Sequence, residues 1–331
     1  SRTKAAGGFA SCLSAVLNSL HVTINDFDFV VLSTCCESED KAKLGHPLEG
    51  HKNLVTVNHH LSHAYNAFFQ SGFDEALVVV IDGGGNTFSH TDSGNWWQLP
   101  REQHSYFMAD KTSIRLVDRD FFNPYEVGFG ELYRAFTYYL GFSSSVFASR
   151  TMALAAFGMR ERFGKRYCIE ITDGHLAVPL ENDPNDPIGM VQRLGHTIGL
   201  DFGEPRKPTE EILPIHRDLA AYIQMCVEDM LMEKLRWLKD KFPSKNLCLS
   251  GGFFLNCVVN GRIAKEGLFD KVYVPSAPGD SGQCIGNAIY GAILQGSNAS
   301  IHTFTWKKSI HRRVQELDQT FNKKDNDDER G

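Results

Sequence analysis

The chain has 331 residues, of which 42% are hydrophobic and 22% charged, and its formal net charge is −6. This length is enough for a sizeable core in about two domains, and the ordinary composition excludes collagen-like, wholly disordered and disulfide-knot proteins. The mild acidity disfavours a nucleic-acid-binding face, which needs clustered lysine and arginine. The longest purely aliphatic run, residues 77–81, is far too short to span a bilayer, so no membrane association is expected.

Cysteine usage predicts a reducing compartment. None of the eight cysteines forms a C-x-x-C pair or a zinc-ribbon spacing, and several lie inside apolar runs, where a thiol behaves as a small hydrophobic side chain. The first residues carry no basic-then-apolar signal peptide. We therefore expect a cytoplasmic protein.

The apolar pattern alternates between short strands and helices along the chain. Strands are predicted near residues 28–33, 54–57, 77–81, 247–249 and 271–274. Helices are predicted around residues 61–69, 130–141, 188–198, 216–240, 258–263 and from 281 onward. Residues 86–120 are typical of hairpins without a clear register. This alternation favours an α/β fold with a buried, largely parallel sheet.

Two histidines form the sharpest local motif. His59 and His63 are four residues apart, so on a helix they share one face and both imidazoles can reach one cation. No glutamate lies between them, so the zinc-protease pattern H-E-x-x-H is absent. Taken alone, such a pair is more often two helix-start histidines that pack against polar neighbours.

Two aspartates can complete a ligand set with this pair. Asp82 closes the apolar strand at 77–81, where a buried carboxylate needs a partner, and Asp280 lies in the turn P-G-D-S-G before a helix. Two histidines with one or two carboxylates are typical ligands of Fe(II), Zn or Mn. By itself, Asp280 can also be an ordinary surface turn residue.

Glycine turns follow two of the predicted strands, at residues 83–85 and 251–252. They suggest an internal duplication and allow the backbone to approach a phosphate closely. Ser281, at the start of a helix, adds the positive end of a helix dipole. Neither a P-loop nor a Rossmann fingerprint is present, and a glycine pair alone is most often only a turn.

Six segments in a fixed order resemble the carbamoyltransferase family that includes the nodulation and antibiotic-tailoring O-carbamoyltransferases. They fall within residues 58–294: H-H-L-S-H-A at 59–64, I-D-G at 81–83, G-E-L-Y-R-A-F-T-Y-Y-L-G-F at 130–142, T-M-A-L-A-A-F-G at 151–158, L-S-G-G-F-F-L-N-C at 249–257 and P-G-D-S-G at 278–282. The resemblance implies an actin/Hsp70-like α/β fold of duplicated RNase H-like lobes. We expect one lobe in residues 1–125, rejoined by a helix at 281–294, a second in residues 126–280, and a charged tail or linker at 306–331.

The same resemblance implies the site residues. It places a divalent metal, with Fe(II) favoured over Zn or Mn, on the catalytic residues His59, His63, Asp82 and Asp280. It also implies that an adenylate lies across a nucleotide site, to which we assign Gly83, Gly84, Gly85, Gly130, Gly251, Gly252, Asn256 and Ser281.

The activity implied by the resemblance is carbamoyl transfer. In the family, a YrdC-like module makes carbamoyl adenylate from carbamoyl phosphate and ATP. The actin-like part then carbamoylates a hydroxyl or amine of a small molecule and releases AMP, as in antibiotic biosynthesis. We expect the YrdC-like module to be absent from this chain and to act from elsewhere in a longer protein or in trans. We also expect a homodimer.

Two other functions remain open from the sequence. A tRNA threonylcarbamoyl transferase is one, although Leu61 and Ser62 stand where its H-x-E-G-H signature would be. A nucleotide-binding regulatory module without turnover is the other, because T-M-A at 151–153 stands where the family usually has K-V-M-G.

Overall fold

The computed structural model describes residues 8–35, 48, 51, 53–86, 101–122, 126–164, 169–180, 183 and 185–296. The strands in these ranges are β1 (Val30–Thr34), β2 (Leu54–Asn58), β3 (Glu75–Ile81), β4 (Arg101–Asp110), β5 (Ile114–Phe122), β6 (Glu126–Val127), β7 (Glu170–Thr172), β8 (His175–Pro179), β9 (Asn246–Ser250) and β10 (Lys271–Tyr273). The α-helices are α1 (Gly8–Leu20), α2 (His59–Ser71), α3 (Phe129–Tyr139), α4 (Ala148–Ala155), α5 (Pro187–Ile198), α6 (Pro214–Lys241), α7 (Cys257–Glu266) and α8 (Gln283–Leu294).

These elements confirm the predicted alternation of strands and helices. All the strands and helices predicted from the apolar pattern are present, and the region 86–120 contributes the hairpin of β4 and β5. Residues 87–100 and the predicted tail at 306–331 lie outside the described residues. None of the helices given above combines the length and the hydrophobicity that a bilayer crossing needs.

The main sheet in the described residues has five strands in the order β10-β9-β3-β4-β5. β10, β9 and β3 are parallel, whereas β3, β4 and β5 are antiparallel, so the sheet is mixed rather than largely parallel. β3 pairs directly with β9, from Leu77 opposite Leu247 to Val80 opposite Ser250. β3 precedes and β9 follows the boundary that the resemblance implies between residues 125 and 126, so this long-range pairing joins the two segments in one sheet.

β3 is the centre of this sheet and is buried on both faces. Leu77, Val79 and Ile81 belong to the larger core cluster with α3 and α6, whereas Val78 and Val80 face the opposite cluster with α2. This alternation follows from the two-residue period of a strand. The carboxyl end of β3 consequently lies between α2 on one side of the sheet and α3 with α6 on the other.

A buried polar cluster lies between the β4–β5 hairpin and α6. The carboxylate of Asp120 accepts a hydrogen bond from Tyr106 (2.5 Å) and lies 3.2 Å from Nδ1 of both His104 and His175. The ammonium group of Lys234 is 3.5 Å from the same carboxylate, and the Lys234 side chain is fully buried. Its Nζ also lies 4.4 Å from the centre of the Tyr106 ring. The cluster thus connects the β4–β5 hairpin to α6.

Candidate metal centre and nucleotide cavity

The two histidines of the predicted ligand set are placed by an abrupt change from strand to helix. Asn58 is the last residue of β2 and also the N-cap of α2, where its side chain accepts a hydrogen bond from the backbone N–H of Leu61 (2.9 Å). His59 and His63 therefore lie in the first two turns of α2. Both side chains are buried, with exposed fractions of 7% and 0% for the two residues.

The two aspartates meet these histidines, as the motif predicts. Asp82 follows β3 directly, and Asp280 opens the short turn Asp280–Gly282 before α8. Oδ2 of Asp82 is 3.0 Å from Nε2 of His59 and 3.4 Å from Nε2 of His63. Oδ1 of Asp280 is 3.5 and 3.6 Å from the same two nitrogens.

All four residues offer one ligand atom each within 4.8 Å of the others. Asp82 is mostly buried, whereas the Asp280 side chain is about half exposed, at 53%. The donor set of two imidazoles and two carboxylates fits a divalent transition metal such as Fe(II), Zn or Mn. One side remains open, and a substrate atom can approach there.

The electrostatics of these groups reflect close charge pairing in a buried position. Burial disfavours the protonated form of both imidazoles. Hydrogen bonds with Asp82 and Cys35 nevertheless raise the pKa of His59, and hydrogen bonds with Asp280 and Asp82 raise the pKa of His63. Burial also disfavours ionised Asp82, yet hydrogen bonds to the two imidazoles hold its pKa well below the usual range.

Three further side chains contact the two histidines, and no sequence motif predicts them. Sγ of Cys35 lies 3.3 Å from Nδ1 of His59, and Oγ of Ser250 lies 3.4 Å from Nδ1 of His63. Gln283 lies against both rings and is described further below. Contacts on the nitrogen that faces away from the ligand set fix the orientation of a metal-binding imidazole. Each of these supporting residues comes from a different element, so only the three-dimensional structure reveals them.

A cavity of about 450 Å³ opens beside the ligand set, and Asp82 and Asp280 form part of its wall. Five of the residues predicted to bind nucleotide line it: Gly83, Gly130, Gly252, Asn256 and Ser281. Apolar surface comes from Phe253, Met152 and Leu255. A volume of this size is typical of small-molecule and cofactor pockets.

The other three predicted nucleotide residues, Gly84, Gly85 and Gly251, are not among the lining residues. Gly251 has a φ of +99°, and a Cβ there would lie 2.1 Å from the carbonyl oxygen of Ile81. A Cβ on Gly85 would lie 2.5 Å from a carboxylate oxygen of Glu102. These two glycines therefore let the ends of neighbouring strands pack closely.

Asn256 and Gly252 also have structural partners in the cavity wall. The Asn256 side chain caps α7 through the N–H of Val259 (3.2 Å) and exchanges hydrogen bonds with Gln224. The backbone N–H of Gly252 donates to Oδ1 of Asp82 (3.1 Å), which fixes this carboxylate from the side away from the histidines.

An ion pair that no sequence motif predicts lies in the cavity wall. Nε of Arg134 donates to Oε2 of Glu131 (2.5 Å), and both residues line the cavity at the start of α3. Tyr133, which the helical pattern places in the core, also reaches the wall while its hydroxyl donates to Gln224 (2.8 Å). The three- and four-residue apolar spacing of α3 predicts only that Tyr133 lies in the core, and gives no sign that it also lines the cavity.

Comparison with known proteins supports the resemblance seen in the motifs. Protein sll1178 of Synechocystis sp. is 33% identical over 247 residues, which are 71% of this chain and 36% of that protein. Nodulation protein NolNO of Sinorhizobium fredii is 29% identical over 238 residues, covering 70% of this chain and 30% of that protein. Nodulation protein NolO of Bradyrhizobium diazoefficiens is 29% identical over 243 residues, covering 70% and 38%. The chain thus spans about a third of the length of these relatives.

Solved structures show the same fold. Full-length HypF in a phosphate- and nucleotide-bound form superposes with a TM-score of 0.51 at 14% identity, covering 88% of this chain and 42% of that one. HypF of T. kodakarensis gives a TM-score of 0.52 at 13% identity, with 88% and 44% covered. This likeness confirms the predicted actin-like α/β fold. Because the family model described as carbamoyltransferase N-terminus matches residues 18–289, the chain belongs to the carbamoyltransferase family.

Proposed function

We propose that this chain is the metal- and nucleotide-binding part of a carbamoyltransferase. In this proposal it moves a carbamoyl group from carbamoyl adenylate to a hydroxyl or amine of a small metabolite and releases AMP. The observation that carries the proposal is the cluster of His59, His63, Asp82 and Asp280, whose carboxylates form part of the wall of a cavity of about 450 Å³. Family membership supports carbamoyl transfer in general.

The four clustered side chains are those we propose to hold a divalent cation. A cation bound there would supply Lewis-acid polarisation of the carbamoyl carbonyl. The chain itself supplies preorganisation: Asp82 is fixed on one side by the N–H of Gly252 and on the other by both histidines. Such fixed polar groups need little rearrangement during a reaction, which is where enzymes gain most of their electrostatic stabilisation.

Three glycines in the cavity wall support the nucleotide part of the proposal. Gly130, Gly252 and Gly279 leave the backbone exposed along one wall. The N–H of Gly252 already donates a hydrogen bond to Asp82. This glycine therefore favours phosphate binding by letting the phosphate approach the backbone closely, and not by donating a hydrogen bond to it. We place the adenylate in this cavity with its carbamoyl end towards Asp82 and Asp280.

The supply of carbamoyl adenylate and the identity of the acceptor are further parts of the proposal. We assign the formation of carbamoyl adenylate from carbamoyl phosphate and ATP to a YrdC-like module, because this chain spans only part of its relatives. The acceptor belongs to the small molecules that a cavity of this size admits.

Release of AMP from carbamoyl adenylate tests the proposal directly. We expect the chain, loaded with Fe(II), Zn or Mn, to release AMP faster when a hydroxyl- or amine-bearing acceptor is added. A strong chelator should remove this acceleration, and returning the cation should restore it. Chromatography of AMP together with mass spectrometry of the carbamoylated acceptor gives the measurement. Acceptor carbamoylation that proceeds unchanged with chelator present would rule out the metal dependence.

Gly252→Val is expected to weaken nucleotide binding by about 10- to 100-fold. A Cβ at this position would lie 2.8 Å from Oδ1 of Asp82, and the two further methyl groups of valine would fill part of the cavity. Overpacking of a fitted site costs roughly 1–3 kcal/mol, which corresponds to this loss of affinity. The matched control is Gly261→Val, because nothing lies within 4 Å of a Cβ built on Gly261. Calorimetric titration with AMP measures both variants, and equal affinities would place the nucleotide outside this cavity.

A further inference from the structure

The side chain of Gln283 lies among the proposed metal ligands. Gln283 is the first residue of α8, and it is 6% exposed. Its amide nitrogen is 2.9 Å from Nε2 of His63, 3.0 Å from Nε2 of His59 and 2.9 Å from Nδ1 of His59. The same nitrogen is 3.5 Å from Oδ1 of Asp280. The amide thus contacts three of the four ligand residues.

The other end of the amide is held by a hydroxyl group. The amide oxygen of Gln283 accepts a hydrogen bond from Ser33 of β1, and Oγ of Ser33 lies 3.2 Å from the side-chain nitrogen of Asn287. Ser62 of α2 in turn donates to the side-chain oxygen of Asn287 (2.7 Å). This chain of contacts fixes the position of the Gln283 side chain between α2, α8 and β1.

An amide that turns about its terminal bond exchanges a donor for an acceptor at the same place. The N–H₂ group cannot bind a cation, whereas the carbonyl oxygen can. A serine hydroxyl both donates and accepts, so Ser33 can bond to either end of the amide. The surroundings of Gln283 therefore accept both orientations.

We propose that Gln283 is a fifth ligand of the metal centre, and that its amide oxygen turns towards the cation when the cation is bound. This inference rests on the proposed metal site of His59, His63, Asp82 and Asp280. In the structure the amide nitrogen lies at the edge of this residue cluster, within 3.0 Å of both imidazole rings. The opposite possibility, an amide that blocks the site, predicts tighter binding when the amide is removed.

The test compares two variants of nearly equal side-chain size. Zn²⁺ affinity is measured on the full chain by competition with a chromogenic chelator. We expect Gln283→Leu, which has no oxygen to offer, to bind Zn²⁺ about tenfold more weakly than the wild type or weaker still. Gln283→Glu, which offers a carboxylate oxygen, is expected to bind at least as tightly as the wild type. Gln295→Ala, a change of an exposed glutamine at the other end of α8, serves as the control and should leave the affinity unchanged.

The outcomes separate this inference from the proposed function. If the wild type binds Zn²⁺ and Gln283→Leu binds it equally or more tightly, Gln283 is not a ligand, although the four-residue centre stands. If the wild type binds none of Zn²⁺, Fe(II) and Mn²⁺, the metal dependence of the proposed function fails and this inference fails with it. Far-UV circular dichroism and the thermal midpoint of the metal-free variants show whether they are folded. Should Gln283→Leu not fold, weaker Zn²⁺ binding by Gln283→Glu than by the wild type would overturn the inference, and binding at least as tight would support it.

Discussion

His63→Ala is expected to lose its bound metal and to reduce AMP release by about a hundred- to a thousandfold, while the fold remains intact. Nε2 of His63 lies 3.4 Å from Asp82 and 3.6 Å from Asp280, so the variant removes one donor from the centre of the ligand set. Loss of one preorganised group that stabilises developing charge typically costs a factor of this size. The Nδ1 side of the ring has only a long contact to Ser250 (3.4 Å), so few interactions outside the site are lost.

Elemental analysis of the purified variant and its rate of AMP release measure the effect, with the thermal midpoint as the test of folding. His196→Ala is the matched control, because His196 is exposed near the end of α5. Full metal content in a folded His63→Ala protein would contradict the assignment of the centre. A folded variant that has lost its metal but keeps wild-type carbamoyl transfer would contradict the catalytic role of the metal.

Asp120→Asn is expected to lower the free energy of unfolding by about 3 kcal/mol, because it removes the nearer and more buried of the two carboxylates that face the buried ammonium of Lys234, the other being Asp118 at 3.8 Å. Urea denaturation at neutral pH measures this change. The double variant Asp120→Asn with Lys234→Met should recover part of the loss, since it also removes the buried ammonium that has lost its nearer partner. Asp74→Asn provides the control: it breaks an ion pair with Lys111 on the surface and should change the stability very little. Equal losses in the single and double variants would show that the charge pairing is not the cause.

The same pair predicts a dependence of stability on pH. Burial alone would raise the pKa of Asp120, but hydrogen bonds from His104 and His175 and the charge of Lys234 hold it below its ordinary value. A carboxyl with a depressed pKa in the folded state stabilises the protein above its unfolded pKa of about 4, and this contribution is lost as the pH falls further. The stability difference between the wild type and Asp120→Asn should therefore shrink below about pH 4. A difference that stays constant across this range would contradict the shifted pKa.

The sequence predicts the four clustered ligands because each carries a local signal. His59 and His63 share a helix face by their spacing, Asp82 ends an apolar strand, and Asp280 sits in a glycine turn before a helix. The structure brings these four residues together, with one ligand atom of each within 4.8 Å of the others. The actin-like fold could be predicted from six motifs in order.

What the sequence does not reveal depends on contacts between distant residues. Asp120 and Lys234 are 114 residues apart, and Gln283 lies 220 residues from His63, so no spacing rule connects them. The pairing of β3 with β9, and with it the membership of β3–β5 in the five-stranded sheet, is another contact of this kind. Gly84, Gly85 and Gly251 are predicted from the sequence to bind nucleotide, but they do not line the cavity. Gly85 and Gly251 instead allow close backbone packing. The sequence does not distinguish a glycine needed for packing from one that faces a ligand.

Three of the four proposed metal ligands are close together in the sequence and the fourth is distant. This arrangement affects how cation binding is coupled to folding. His59, His63 and Asp82 lie within one helix and the strand that follows it, whereas Asp280 arrives from almost 200 residues further on. A partly folded chain in which only α2 and β3 are packed together would offer three of the donors without Asp280, and a cation would have some affinity for it. Ligands stabilise a protein only by the difference in their affinity for folded and unfolded forms. Cation loading is therefore expected to add less to the stability of the folded protein than its full affinity would give.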